Sequence, residues 1–287
     1  KLKPYPASLA VFDHAILYVP KYDLFLDGTA ELHGTGELPV QDRGATVLVV
    51  QPDGGSVLGE VPEAKAADNL IASEYEVALS RAGDATISGK TVVQGLPAPS
   101  YRRTYQSPAT RKQHYEQGWA RTFPGLSVKE LNVGDLTAIE RPVELTYTMQ
   151  VPRYSQREED ALSFQPFGQG HSYVESYAAL SARQHDLVLS YPWINRSSFR
   201  IALPEGFAAR DLPAPVELKS PFGALTIRYA ADGASLKVES EVLLAVSRVS
   251  AAEYPAFRAF LGLVDQALSR RLKAVPAIEA PKSAQVE

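Results

Sequence analysis

The chain has 287 residues, a formal net charge of −4 and no cysteine. The lack of cysteine excludes disulfides, cysteine-ligated zinc and a thiol nucleophile supplied by these residues, and the mildly acidic charge argues against a general nucleic-acid binder, which usually carries a basic face. No apolar run reaches the roughly 18 residues that a transmembrane helix needs, and the first residues lack the pattern of a signal peptide.

The first predicted elements form a hairpin. Two apolar runs flank a Pro-Lys-Tyr-Asp turn at residues 20–23; His14 lies in the first run and Asp27 ends the second. Adjacent antiparallel strands would place both side chains on the same face, whereas Asp13 would point to the opposite face. In that arrangement the carboxylate orients an imidazole that serves as base for a nucleophile. A structural histidine in an apolar strand is the alternative interpretation.

Two short segments carry a family resemblance. Phe12-Asp13-His14 and Leu26-Asp27-Gly28-Thr29 resemble the His and Asp strands of bacterial transglutaminase-like (papain-like) domains, with Gly28 where that family usually has proline. Residues 36–50 resemble the continuation, so the resemblance covers residues 9–62. It implies that His14 is a base, that Asp27 orients it, and that the catalytic cysteine lies on a missing N-terminal segment. It also implies a periplasmic or cell-envelope location.

A second unit of the chain is predicted to be rich in β-structure. The expected domains are a remnant of the transglutaminase-like core over residues 1–62 and a β-rich domain over residues 70–275. Alternation of polar and apolar residues indicates half-buried strands. Including one strand of the first unit, the predicted strands are residues 47–50, 73–80, 85–93, 126–132, 143–151, 161–164, 186–189, 198–203, 225–229 and 235–245.

Two helices are predicted in this unit. The first covers residues 108–122, with Ser107 as the N-cap and a proline in the first turn. The second covers residues 251–272, opens with a capping box formed by Ser250 and Glu253, and has an apolar stripe that would dock on a sheet. Residues 276–287 are predicted to be a disordered tail. Strands separated by turns rather than by regular helices predict an α+β fold, mainly antiparallel, with a C-terminal packing helix.

Other motifs give weaker signals. The basic-aromatic run at residues 101–105 is interpreted as a solvated edge, because no second run supports it. His33 has two glutamates nearby, but spacing alone does not supply convergent metal ligands. Residues 168–171 lack the Lys-Ser/Thr of a phosphate loop and fit a turn packed by aromatic residues. Residues 191–193 fit either a peptide-binding surface or a strand leaving the core. No metal or cofactor is predicted.

Two functions remain open on the sequence. In the first, the chain is the C-terminal portion of a transglutaminase-like protein, non-catalytic on its own, and acts as a structural or interaction module. In the second, it is part of a cysteine-type acyl-transfer enzyme, amidase or protease whose cysteine lies on a missing segment. The expected partner is that segment or another protein, with neither nucleic acid nor a transmembrane anchor involved.

Overall fold

The computed structural model describes residues 11–170 and 172–277, and it confirms the predicted α+β class. Over these residues the fold is a mostly antiparallel, mixed sheet structure with four α-helices. None of the helices in this part of the chain combines the length and apolarity needed to cross a membrane.

Strands and helices are numbered in chain order. The strands of the first part are β1 (Leu17–Val19), β2 (Leu24–Leu26), β3 (Thr46–Val50) and β4 (Ser56–Glu60). The strands that follow are β5 (Leu70–Leu79), β6 (Ala85–Gln94), β7 (Ser127–Val133), β8 (Val143–Val151), β9 (Ser155–Glu158), β10 (Ala161–Phe164), β11 (Leu187–Val188), β12 (Trp193–Ala202), β13 (Phe207–Arg210), β14 (Val216–Ser220), β15 (Gly223–Asp232), β16 (Ser235–Leu244), β17 (Arg248–Val249) and β18 (Leu272–Pro276). The helices are α1 (Ala98–Tyr105), α2 (Arg111–Trp119), α3 (Tyr173–Tyr177) and α4 (Tyr254–Leu268).

The main sheet has eight strands in the order β14-β15-β16-β12-β5-β6-β8-β7. Its strands follow the predicted alternation of buried and exposed residues. In β8, for example, every second residue lies in the core along the whole length of the strand. The predicted bounds of β8 and β10 are confirmed. A smaller sheet in the order β13-β18-β10-β9 packs beside it, and β1-β2 and β3-β4 are separate hairpins.

One parallel pair joins the two halves of the main sheet. β5 and β12 run side by side from Leu70 opposite Ile194 to Ala78 opposite Ala202. Asn69 fixes the start of this pair, because its buried side-chain amide donates to the carbonyl oxygen of Pro192 at 2.9 Å. Sequence patterning did not predict this pair, since alternation reports which face is buried but not which strand lies alongside.

Aromatic side chains fill the core between the main sheet and α2. Tyr75 stacks on Phe199 with ring centroids 4.4 Å apart, and Tyr115 of α2 lies 4.9 Å from the ring of Tyr147. Gly89 makes room for this packing, because a Cβ at that position would lie 2.6 Å from the Tyr147 ring. The core thus depends on a missing side chain in β6 as well as on the rings.

The C-terminal helix packs as predicted and is shorter than predicted. The hydrogen bonds of the predicted capping box form, since the Ser250 N–H donates to Glu253 Oε2 and the Glu253 N–H donates to Ser250 Oγ. The predicted helix start was wrong, because the helix begins at Tyr254 rather than at residue 251, and its N-cap is Glu253 rather than Ser250. Phe257 and Val264 are fully buried on the apolar stripe. The helix ends at Leu268, four residues earlier than expected, and the chain then forms β18 between β13 and β10.

The tail prediction was made for residues 276–287. Pro276 is the last residue of β18, so the predicted tail began one residue too early. Residues 278–287 lie outside the described part of the chain.

The middle helices differ from prediction. α2 starts at Arg111, and its N-cap is Thr110 rather than Ser107, with no side-chain capping bond. α1 was not predicted at all, because Pro97 and Pro99 were interpreted as the end of a strand. Proline fits the first turn of a helix, where the N–H has no intrahelical partner, and α1 has its proline at that position.

Candidate functional site

We use the name N-terminal unit for residues 11–62 and the name sheet domain for residues 70–275, and a buried arginine joins the two. The Arg102 side chain is 1% exposed, and it donates to the carbonyl oxygens of Leu32, Ile139 and Arg141 at 2.7, 2.8 and 3.0 Å. It also forms an ion pair with Glu37 of the N-terminal unit. The interpretation of residues 101–105 as a solvated edge was therefore wrong at this position. Arg102 lies on α1, and its guanidinium group lies between the N-terminal unit and the sheet domain.

The predicted contact between His14 and Asp27 is present. His14 Nε2 lies 3.1 Å from Asp27 Oδ2. The two residues flank the hairpin, since β1 starts three residues after His14 and β2 ends just before Asp27, with Leu17 opposite Leu26. The prediction that both residues lie within strands was therefore wrong. The hairpin is short, and it still brings the two side chains to one place.

Asp27 is held rigidly in an enclosed position. Its side chain is 1% exposed, against 38% for His14. Oδ1 accepts hydrogen bonds from the Thr29 N–H at 2.9 Å and from Thr29 Oγ1 at 2.8 Å, which leaves Oδ2 for the imidazole. Burial raises the pKa of Asp27, but the Thr29 donors and His14 outweigh it, so that the pKa is lowered. The group therefore stays ionised, and its contribution to stability is lost only as the pH falls through this lowered pKa.

A second carboxylate lies beside this pair and was not predicted. Asp42 ends a 3-10 turn, and one ligand-type atom each of His14, Asp27 and Asp42 lies within 4.8 Å of the others. Burial and the nearby Asp27 charge raise the pKa of Asp42. The sequence does not single out Asp42, because it lies well downstream of the hairpin, within the stretch that resembles the family's continuation.

The contact with Asp27 favours one tautomer of the His14 imidazole. Asp27 accepts at Nε2, which favours the tautomer with its proton on Nε2 and a free lone pair on Nδ1. Among residues 11–170 and 172–277, no hydrogen bond to Nδ1 is formed. The half-exposed ring can therefore accept a proton at Nδ1 while the enclosed carboxylate stabilises the resulting positive charge.

The other candidate residues do not join this site. His33 Nδ1 forms a hydrogen bond with the carbonyl oxygen of Glu31, and Glu37 forms an ion pair with Arg102. These two side chains therefore have structural partners and do not converge as metal ligands. Trp193 is buried and stacks on Tyr173, which favours the core interpretation of that run over an exposed peptide surface.

The turn predicted at residues 168–171 begins earlier, at residues 165–168, where the Gly168 N–H donates to the Gln165 carbonyl oxygen at 3.0 Å, and residues 169 and 170 continue it as a bend. Gly168 and Gly170 have positive φ values of 77° and 67°. A Cβ at Gly168 would lie 2.4 Å from the Thr122 side chain, so glycine is required there. His171 lies outside the described residues.

A small pocket adjoins the His–Asp pair. It has a volume of about 200 Å³ and is lined by Asp27, Gly34, Leu38, Ile139 and other residues of the same loops. It lies where the N-terminal unit meets the loop that receives Arg102. A larger pocket of about 500 Å³ is lined by residues such as Phe123, Tyr154 and Arg157, and it includes neither His14 nor Asp27.

A family model matches the C-terminal part of the chain. The profile of a family described as a domain of unknown function with a solved structure (DUF3858) matches residues 160–273. This match runs from β10 to β18 and does not include the His–Asp pair. No curated protein matches the chain.

One solved structure is similar over most of the chain. It is the crystal structure of a "putative protease" from Parabacteroides distasonis, with 14% sequence identity and a TM-score of 0.44. The alignment covers 91% of this chain and 35% of that one, so this chain spans about a third of the length of that protein.

Proposed function

We propose that this chain is a portion of a transglutaminase-like protein and that it supplies the His–Asp half of a thiol acyl-transfer site. The observation that carries the proposal is the 3.1 Å contact between His14 Nε2 and an enclosed Asp27. On its own the chain has no cysteine to provide the thiol, so we expect it to be non-catalytic. The alternative role, a non-catalytic structural or interaction module, shares this last expectation.

In the complete site, each proton has a defined route. His14 Nδ1 takes the thiol proton as the sulfur attacks the acyl carbon of an amide. The tetrahedral intermediate collapses when the imidazolium returns that proton to the leaving amine, which yields a thioester. Water or a second amine then attacks the thioester with His14 again as base, and the thiol regains its proton. Asp27 keeps the ring in the tautomer that these steps require.

The surface of the N-terminal unit supports a role that needs a second polypeptide. Leu17, Val50, Val57 and Leu58 are exposed on its two hairpins, with Leu58 62% exposed. The main hydrophobic cluster begins only at Tyr75. These exposed apolar side chains are available for contact with a second polypeptide. The partner that we propose is the polypeptide segment that carries the thiol.

Activity measurements test this proposal. The purified chain is incubated with a glutamine-containing peptide and a primary amine, and ammonia release is followed. We expect no turnover. In the full-length gene product, we expect a cysteine upstream of these residues and a loss of about 10³-fold or more when that cysteine or His14 is changed to alanine. His114→Ala is the matched control, since His114 is exposed on α2, and it should retain full activity.

Two results would overturn the proposal. One is turnover by the isolated chain that disappears in His14→Ala, since that activity would need no cysteine. The other is a full-length protein that has no upstream cysteine, or whose activity survives His14→Ala.

A further inference from the structure

We propose that His14, Asp27 and Asp42 form a binding site for a divalent transition-metal ion, with Zn²⁺ as the representative ion. Three residues from three separate loops converge there, and one ligand-type atom of each lies within 4.8 Å of the other two. This site does not rest on the proposed acyl-transfer role, because it is a property of these three side chains alone.

The existing His–Asp distance suits a metal ion. Zinc bonds to imidazole nitrogen and carboxylate oxygen are about 2.0–2.2 Å long, so two ligand atoms on one ion lie roughly 2.8–3.6 Å apart, depending on the coordination geometry. His14 Nε2 and Asp27 Oδ2 are 3.1 Å apart. The remaining separations are at most 4.8 Å, so an approach of about 1 Å by the Asp42 carboxylate completes the set.

The independent observation concerns Asp42 itself. The residue is 6% exposed, and no residue in the described part of the chain donates a hydrogen bond to its Oδ2 atom. A buried carboxyl oxygen without a hydrogen-bond partner is unfavourable, and the other carboxyl group that meets Asp42 at this site is the like-charged Asp27. Arg43 is the adjacent cation, but its Nη2 donates to the carbonyl oxygen of Gly36 at 2.9 Å. A bound cation would supply the missing partner.

The backbone of Asp42 is held by a short turn. It ends the 3-10 turn that follows Pro39, and its N–H donates to the Pro39 carbonyl oxygen at 3.0 Å. This hydrogen bond fixes the backbone that carries the carboxylate, and the side chain is buried there rather than exposed as in a pair of surface acids.

The ligand set selects the class of ion. One imidazole and two carboxylates without sulfur suit Zn²⁺, Mn²⁺, Co²⁺ or Ni²⁺ better than Cu⁺, which prefers sulfur, or Ca²⁺, which prefers oxygen alone. The half-exposed His14 leaves one side open, so water would complete the coordination. A bound ion would occupy Nε2 and withdraw the electron density that makes Nδ1 a base. The ion-bound state and the base function therefore exclude one another.

Binding of zinc to the untagged chain tests the proposal. After treatment with EDTA and its removal, ZnCl₂ is titrated into the protein in a calorimeter, with no thiol or acyl substrate present. We expect one equivalent per chain. Changes beyond the ligand shell already weaken metal sites by about 10–100-fold, so removal of a ligand in Asp42→Asn or His14→Ala should weaken binding by at least about tenfold. His114→Ala should bind as the wild type does.

A second measurement guards against a variant that fails to fold. In ¹⁵N-labelled wild-type protein, Zn²⁺ should shift the ring nitrogen resonances of His14 and leave those of His33 and His114 in place. The proposal is overturned if the wild type shows no saturable binding. It is equally overturned if folded Asp42→Asn binds with unchanged affinity, or if the shifted resonances belong to another histidine. None of these results bears on acyl transfer, so the two proposals fail separately.

Discussion

Replacing Arg102 by methionine tests how the N-terminal unit is held on the sheet domain. Methionine keeps much of the side-chain volume in α1 but removes a guanidinium that serves three carbonyl oxygens and the Glu37 carboxylate. Removing one partner of a buried ion pair costs about 3–5 kcal/mol, because the other charge stays buried without compensation. Unmet buried carbonyl groups add to this cost, while water entering the gap reduces it. We therefore expect a loss of about 3–5 kcal/mol in the free energy of unfolding.

Urea and thermal denaturation measure this change. For a chain of this size, each kcal/mol lowers Tm by about 2–4 °C, so that Arg102→Met should melt about 6–20 °C below the wild type. Hydrogen exchange should rise first at residues 32–37, which lose their anchor. Arg103→Met is the matched control: Arg103 is exposed on the same helix, and its loss should change stability by less than about 0.5 kcal/mol. If Arg102→Met unfolds within about 1 kcal/mol of the wild type, the anchoring argument is refuted.

Three further outcomes are expected. Phe257→Ala should cost about 3–5 kcal/mol by chemical denaturation, whereas Leu263→Ala, at a 51% exposed position of the same helix, should cost under about 0.5 kcal/mol; equal effects would contradict the packing of α4. Gly89→Ala should destabilise by about 1–3 kcal/mol, because the new methyl group overlaps a core tyrosine ring, and an unchanged midpoint would contradict that contact. The side-chain hydroxyl and N–H of Thr35 lower the pKa of Glu140, so its stabilising effect is present above the ordinary glutamate pKa and is lost as the pH falls through the lowered value. An NMR titration should show this pKa returning toward the ordinary value in Thr35→Ala, and an unchanged titration would contradict the bond.

The sequence predicted strands best where alternation is strong and turns are marked. β8 has the predicted bounds because its residues alternate without interruption between two breaks. α1 was missed because Pro97 and Pro99 have two opposite meanings, a strand break or a helix start, and local sequence does not decide between them. β18 was missed for a different reason. Its residues, Leu272–Pro276, gain strand structure from pairing with distant β10 and β13, which no local pattern reports.

In the candidate site, too, the residues related by local sequence were predicted and those brought in by the tertiary fold were not. His14 and Asp27 could be paired from sequence because one short hairpin relates them. Asp42 and Arg102 could not, because their importance comes from burial, and a charged residue in sequence is more often solvated. Both are functional candidates only once the loops that surround them are placed.

The parallel contact between β5 and β12 has a consequence for how the chain folds. Each half of the main sheet, β5-β6-β8-β7 and β12-β16-β15-β14, is built from strands that lie near one another in sequence. The contact between the halves joins residues far apart, as with Asn69 and Pro192, which are 123 positions apart. Contacts of such separation form slowly, so we expect the halves to assemble first. A nascent chain that ends before β12 would leave one side of β5 without a neighbour, and an unpaired strand edge is prone to aggregation. Early β5 is thus the segment for which chaperone protection during synthesis would matter most.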